Sequence, residues 1–255
     1  MRIPALLTAL LLTTASAGTL RVGASPVPHA EILNFVKPLL AKQGVTLVVR
    51  EFSDYVQPNL ALADGSIDVN FFQHAPYLSA FQKDRPLGIV AGAKIHVEPI
   101  GVYSRRVKAL RDLKTGATIA IPNDPSNSGR ALKLLERAGL IRLKPGVTTG
   151  ATPLDIVSNV KRLKFRELEA AQLPRALADV DAAVINTNYA LDANLNPLKD
   201  ALTLEDARSP YANLLAVKPA TLKNPDYQKL VKVLQSAAVR EFILNTYKGA
   251  VVPAF

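Results

Sequence analysis

Between residues 19 and 72 the chain alternates strand-like and helix-like segments in the order β-α-β-α-β, and no other feature narrows the choice of fold as much. Residues 19–23 (TLRVG), 46–52 (TLVVREF) and 67–72 (IDVNFF) are short runs rich in β-branched and aromatic residues. From about Ala30, Ile32, Phe35, Val36, Leu39 and Leu40 recur at helical spacing, with Pro38 placed to kink that helix. A second, shorter helix opens at Pro58 and closes at Gly65. Parallel strands need a crossover, usually a helix, so this alternation predicts a parallel, doubly wound sheet.

The pattern then starts again. Residues 118–121 (TIAI) form a strand that ends at Pro122, and Ser126 or Asn127 is positioned to cap a helix carrying Ala131, Leu134, Leu135 and Ala138 on one face, with Gly139 as its terminator. Thr152 opens a further helical pattern, residues 165–168 read as a strand, and residues 173–178 as a short helix. Residues 181–186 (DAAVIN) form an apolar strand of the buried, parallel kind, followed by a strand over 211–217 and one long amphipathic helix over 226–247. Two α/β units result, and the chain passes between them near residues 97–101 and 205–211. Parallel sheets bind ligands at the carboxyl ends of their strands. Two facing sheets therefore point to a cleft lined by residues 72–74, 123–130 and 186–188.

Composition restricts what such a cleft belongs to. Residues 1–17 read as an export signal: Arg2, the apolar run ALLTALLL and the small-residue site Ala15-Ser16-Ala17. A mature start near Gly18 is expected. The 255 residues include no cysteine, which excludes disulfides and thiolate metal sites and leads to the expectation of a protein that is not lipidated. The formal charge of +10 is spread along the chain, and only 6% of residues are aromatic, so the charge reads as a solvated surface rather than a face for nucleic acid or membrane.

Enzyme signatures are missing. The sequence has no GxSxG elbow, HExxH, P-loop or GxGxxG. Its three histidines, His29, His74 and His96, are too few and too dispersed to suggest a metal. No catalytic residue, metal or cofactor is expected. His74 follows a strand and either bonds backbone or faces a ligand. Arg130 lies in the first turn of its helix, where free N–H groups attract anions; it is either a surface residue or a fork for a carboxylate. Tyr55, Phe72, Tyr77 and Tyr189 stand near strand ends, as core residues or as an apolar box suited to a thioether. Asn186 and Asn213 lie at the end and start of apolar strands, as turn residues or as partners for a zwitterion.

Several long runs carry a resemblance. These are Phe52-Ser53-Asp54-Tyr55-Val56-Gln57-Pro58-Asn59, Phe72-Gln73-His74 with Pro76-Tyr77-Leu78, Pro122-Asn123-Asp124-Pro125 with Gly129-Arg130, Glu167-Leu168-Glu169-Ala170 with Gln172-Leu173-Pro174-Arg175, Val184-Ile185-Asn186, and Ser209-Pro210-Tyr211 with Asn213. In order along nearly the whole chain, they resemble the methionine-binding (NlpA/MetQ) family of ABC-importer substrate-binding proteins. The resemblance implies a two-lobed type II periplasmic-binding-protein fold, with lobe 1 over residues 18–100 and 208–255 and lobe 2 over 101–207. It implies a ligand between the lobes, its polar end on Arg130, Asn186 and Asn213 and its remaining walls from Tyr55, Phe72, His74 and Tyr77. The expected protein is a periplasmic or otherwise extracytoplasmic monomer that binds L-methionine by hinge closure and delivers it to the membrane subunits of an ABC importer, with no nucleic-acid partner. Another small amino acid, a methionine-containing dipeptide and an exported enzyme on the same scaffold are the alternatives. The chain departs from the family where an aromatic–proline pair reads Glu98-Pro99, a change near a hinge expected to affect closure more than specificity.

Overall fold

The computed structural model describes residues 18–255 apart from 84, 148, 207 and 209. The export signal read over residues 1–17 lies outside the described residues. Chain order in the first unit is β1 (Gly18–Ala24), α1 (Glu31–Ala41), β2 (Val45–Glu51), α2 (Gln57–Asp64), β3 (Val69–His74), α3 (Ala75–Lys83) and β4 (Val90–Val97). It continues with β5 (Gly101–Tyr103), β6 (Thr118–Pro122), α4 (Pro125–Arg137), β7 (Arg142–Leu143), β8 (Ile156–Ser158) and β9 (Lys164–Leu168). There follow α5 (Leu173–Ala176), β10 (Ala182–Ile185), α6 (Thr187–Asp192), α7 (Pro197–Asp200) and β11 (Ala201–Leu204). The chain ends with β12 (Ala212–Val217), α8 (Pro225–Leu234), α9 (Ala237–Tyr247) and β13 (Val252–Pro253).

Two sheets carry the two lobes. The larger runs β13-β4-β12-β3-β1-β2 and the smaller β11-β5-β10-β6-β9. Where β-α-β units follow one another, pairing is parallel: β1 with β2 and β3, and β6 with β9 and β10. Where the chain has crossed between sheets it is antiparallel, as in β12 with β3 and β4, and β5 with β10 and β11. The crossings run from β4 to β5 and from β11 to β12, so each sheet contains a strand that arrived from the other. Strands β3, β6 and β10 are covered on both faces; β6 and β10 read as apolar runs without alternation, while β3 carries Asn70, Gln73 and His74 buried among its apolar residues. Phe71, Leu33, Leu215, Leu230 and Val239 meet in the first core; Ile119, Leu132, Leu135 and Val184 meet in the second.

Local chemistry sets the helix ends and departs from the sequence expectation in three places. Asp124, not Ser126 or Asn127, caps α4, accepting from Asn127 N at 2.8 Å while Pro125 takes the first helical position. The expected helix at Thr152 is only a single turn, Pro153–Asp155, closed by hydrogen bonds from Thr152 N and Oγ1 to Asp155 Oδ2 and followed by β8. The expected long C-terminal helix is broken into α8 and α9, because Ser236 leaves helical geometry and its hydroxyl caps the next helix at Val239 N. Gly65 closes α2 in the left-handed region at φ 84°, as its position after the apolar run predicts. Among the described residues no helix is long and apolar enough to cross a membrane.

Gly129 lets α4 approach the loop at residues 150–151. A Cβ there would stand 2.7 Å from Gly150 N and 2.8 Å from Ala151 N, both backbone atoms. Gly129→Ala is expected to cost about 1–3 kcal/mol through backbone displacement. Urea denaturation reads this out; an unchanged midpoint would mean that α4 is not held by that contact.

Candidate functional site

The carboxyl ends of β3, β6 and β10 meet over one small cavity. All seven residues singled out in the sequence line it: Tyr55, Phe72, His74, Tyr77, Arg130, Asn186 and Asn213. The chain brings them from both sheets. Tyr55, Phe72, His74, Tyr77 and Asn213 come from the larger-sheet unit, and Arg130 and Asn186 from the smaller.

The aromatic wall is continuous. Tyr55 packs against Phe72 and Tyr77 with ring centroids 5.7 Å apart in each case, and Phe72 against Tyr77 at 5.8 Å. Hydrogen bonds hold the rings in place. Tyr77 Oη donates to Tyr55 O at 2.9 Å, and Tyr55 Oη donates to Asn188 Oδ1 at 2.6 Å across the gap between the sheets. Tyr189 also crosses the gap, donating to Ser53 O at 3.0 Å, but it lines the neighbouring clefts rather than this cavity.

His74 is already occupied by the fold. Its Nδ1 accepts from Tyr77 N at 3.1 Å, so Nε2 carries the proton and donates to Asn127 Oδ1 at 3.2 Å. Asn127 Oδ1 also accepts from Asn186 Nδ2 at 3.1 Å, so His74 positions the two asparagines. That orientation leaves Asn186 Oδ1 buried without a protein partner. Burial, with Arg130 nearby, holds the His74 imidazole neutral, its pKa lowered to about 3.

Arg130 lies in the second turn of α4 rather than the first, and only 3% of it is exposed. Its fork is not free for a ligand. Nε donates to both oxygens of Glu205 at 3.1 Å, Nη2 also pairs with Glu205, and Nη2 donates to Glu98 O at 2.7 Å. Tyr211 covers the guanidinium face, 4.3 Å from Cζ to the ring centre. Among the described residues Nη1 makes no hydrogen bond, so one edge of the cation remains for the cavity, which Arg130 lines.

Gln73, Asn127, Thr187 and Asn188 fall inside the three segments expected to line the cleft, though none was singled out as a ligand residue, and they line the cavity together with Glu98, which no such segment contained. Gln73 belongs to a buried amide network, donating to Asn59 Oδ1 at 2.7 Å and Asn70 Oδ1 at 2.9 Å. Glu98, expected to act on closure, stands in the cavity wall. The histidines are not dispersed in space either: His29, His96 and Glu98 present ligand atoms within 4.8 Å of one another, a grouping only the tertiary structure reveals.

The three histidines are buried and neutral, mainly through desolvation, with pKa values lowered to about 4 for His29 and about 3 for His74 and His96. The unfolded chain therefore binds more protons than the folded one below about pH 6.5, so their contribution to stability is present above that pH and lost as pH falls toward 4. Glu98 and Asp124, whose carboxyls burial pushes up, act in the opposite sense and return part of the loss. Denaturation at pH 7.5 and 5.5 should show stability falling by roughly 2–4 kcal/mol. Equal stability at the two pH values would contradict the neutral, buried imidazoles.

A family profile described as NlpA lipoprotein matches residues 20–255. The D-methionine-binding lipoprotein MetQ of Salmonella typhi is 46% identical over 213 residues, 83% of this chain and 79% of that protein. The structure of a nutrient-binding protein from Burkholderia cenocepacia bound to methionine has 52% identity and a TM-score of 0.90, over 92% of this chain and 100% of that one. An ABC transporter periplasmic substrate-binding protein from Coxiella burnetii has 48% identity and a TM-score of 0.88, over 92% and 100%. These findings correct one expectation. The matching profile and the Salmonella relative are lipoproteins, which overturns the inference of an unlipidated protein. That inference rested on the cysteine count alone. The extracytoplasmic location agrees with the same relatives.

Proposed function

Since this chain belongs to the NlpA lipoprotein family, we propose that it is the extracytoplasmic substrate-binding protein of an ABC importer and that its cavity takes L-methionine. The observation that supports this most is the division of one small cavity into two chemistries. Tyr55, Phe72 and Tyr77 supply an apolar wall, while Arg130 Nη1 and the unpartnered Asn186 Oδ1 stand at the polar end with Asn213. A thioether gains area and sulfur–aromatic contact on the first, and an amino-acid zwitterion finds a donor and an acceptor on the second.

The action is binding and closure without bond-making. Lobe 1, residues 18–100 with 208–255, and lobe 2, residues 101–207, shut around the ligand. Tyr55–Asn188, Tyr189–Ser53 and His74–Asn127 are the contacts that join the lobes in the closed state. Residues 1–17 serve in export, and the closed monomer is what the membrane subunits receive.

A competition titration tests the ligand. Methionine should bind tightest. Norleucine, which keeps the length and loses the sulfur, should bind about tenfold weaker or less. Methionine sulfoxide should fall further behind, since an unpaired acceptor among the rings costs about 1–3 kcal/mol. Alanine should trail as well, forgoing about 1.5–3 kcal/mol of burial. Alanine or the sulfoxide matching methionine would remove the aromatic box from the site.

In a second test, Asn186→Ala removes the unpartnered acceptor without unpairing the arginine. It should weaken methionine by about tenfold or more, the cost of one buried hydrogen bond to a charged group. Calorimetry showing wild-type affinity would place the ligand's polar end elsewhere.

A further inference from the structure

Glu98 is a buried carboxylate with no cation of its own. It is 5% exposed and stands in the wall of the cavity. Arg130 reaches it only through its backbone carbonyl, the guanidinium being paired with Glu205. Two imidazoles flank its Oε1: His96 Nε2 at 2.7 Å and His29 Nε2 at 3.2 Å.

The hydrogen-bond arrangement fixes where the protons are. His29 Nε2 faces two acceptors, Glu98 Oε1 and Asn213 Oδ1 at 3.3 Å, so it must be the N–H donor. Both Nδ1 atoms are buried without partners. With the protons on Nε2, those orphans are bare acceptors; with the protons on Nδ1, they would be buried N–H groups with nothing to bond, the rarer and costlier condition. The same argument disfavours a metal among these three residues. A ligating histidine needs a bare nitrogen toward the metal and ordinarily gives its other N–H to a partner, which the His96 ring lacks. Two neutral N–H donors on one oxygen instead favour the ionised carboxylate.

Resting on the amino-acid reading of the cavity, we infer that Glu98, held by His29 and His96, is the counter-charge for the ligand's primary ammonium and makes a free α-amine a requirement of this site. An ammonium brings three donors and no acceptor. The cavity offers matching acceptors in the Glu98 carboxylate, the unpartnered Asn186 Oδ1 and Asn213 Oδ1. Arg130 Nη1 serves the opposite charge, so the two ends of a zwitterion are told apart. N-acylated methionine, which has no ammonium, is excluded by the same chemistry.

Titration calorimetry with methionine and with des-amino methionine, which carries hydrogen in place of the amine, tests the assignment. The wild-type protein should prefer methionine by about 100-fold or more, the scale of a desolvated charge pair. Glu98→Gln keeps the shape and removes the charge, and should shrink that preference to about tenfold or less, chiefly by weakening methionine. If the variant does not fold, the wild-type comparison still decides. Methionine and its des-amino form binding wild type equally would overturn the ammonium role alone. Failure of methionine to bind wild type at all would overturn the functional reading, and this inference with it. Tight uptake of one zinc ion by metal-free protein, lost in Glu98→Gln, would also overturn it, because both Nε2 atoms would then be bare.

Discussion

Arg130 brings a permanent positive charge to a place almost without water, and much of the site is arranged to accommodate it. Desolvating such a charge costs several kcal/mol unless it is paired and its N–H groups are bonded. The pairing comes from the two crossings between the lobes: Glu205 from the second and the Glu98 carbonyl from the first. Tyr211, at the end of the second crossing, covers the flat face. One side chain on α4 thereby ties both hinge segments to the lobe that carries it. Removing either charged partner would strand the other, so this pair acts less as a source of stability than as a constraint on where the hinge strands lie relative to α4.

That constraint changes what an arginine at a helix start means. The sequence suggested a bidentate fork waiting for a ligand carboxylate. In the folded chain an internal carboxylate has taken the fork, and the ligand is left one edge. A site built this way contributes little new charge when it closes, because the arginine's neutralisation is already complete. Selectivity then depends on the groups left unsatisfied: Nη1 of Arg130, Oδ1 of Asn186 and the carboxylate of Glu98. These differ in sign and in hydrogen-bonding sense, and an amino-acid zwitterion complements them.

The fold was legible where local pattern and tertiary environment agree. The apolar run at β10 announced a buried parallel strand, and the rule that ligands sit at carboxyl ends of such strands led to the segments holding Phe72, His74, Arg130 and Asn186; Tyr55, Tyr77 and Asn213 came from their places near strand ends and from the family resemblance, and all seven line one cavity. It was illegible where a single side chain redirects the backbone. Ser236 splits an otherwise continuous helical pattern, because its hydroxyl satisfies the next helix start better than a helical serine would. Asp155 closes a turn on Thr152 where periodicity promised a helix. At the site, the grouping of Glu98, His29 and His96 was not legible because periodicity carries no information about which crossing residue meets which loop. His29 follows β1, and His96 and Glu98 lie at the end of β4 and just beyond it. Only β12, with Asn213 paired to His96 in the sheet, brings them into register.

The central claim is that this cavity encloses one methionine molecule. Native mass spectrometry of protein freshly isolated from its own cell envelope, without added ligand, addresses it most directly. A single non-covalent adduct with the mass of methionine is expected, one per chain, released when the protein is denatured and restored by adding methionine back. An adduct of any other mass that methionine cannot displace, or ligand-free protein that stays unoccupied after methionine is supplied, would contradict it.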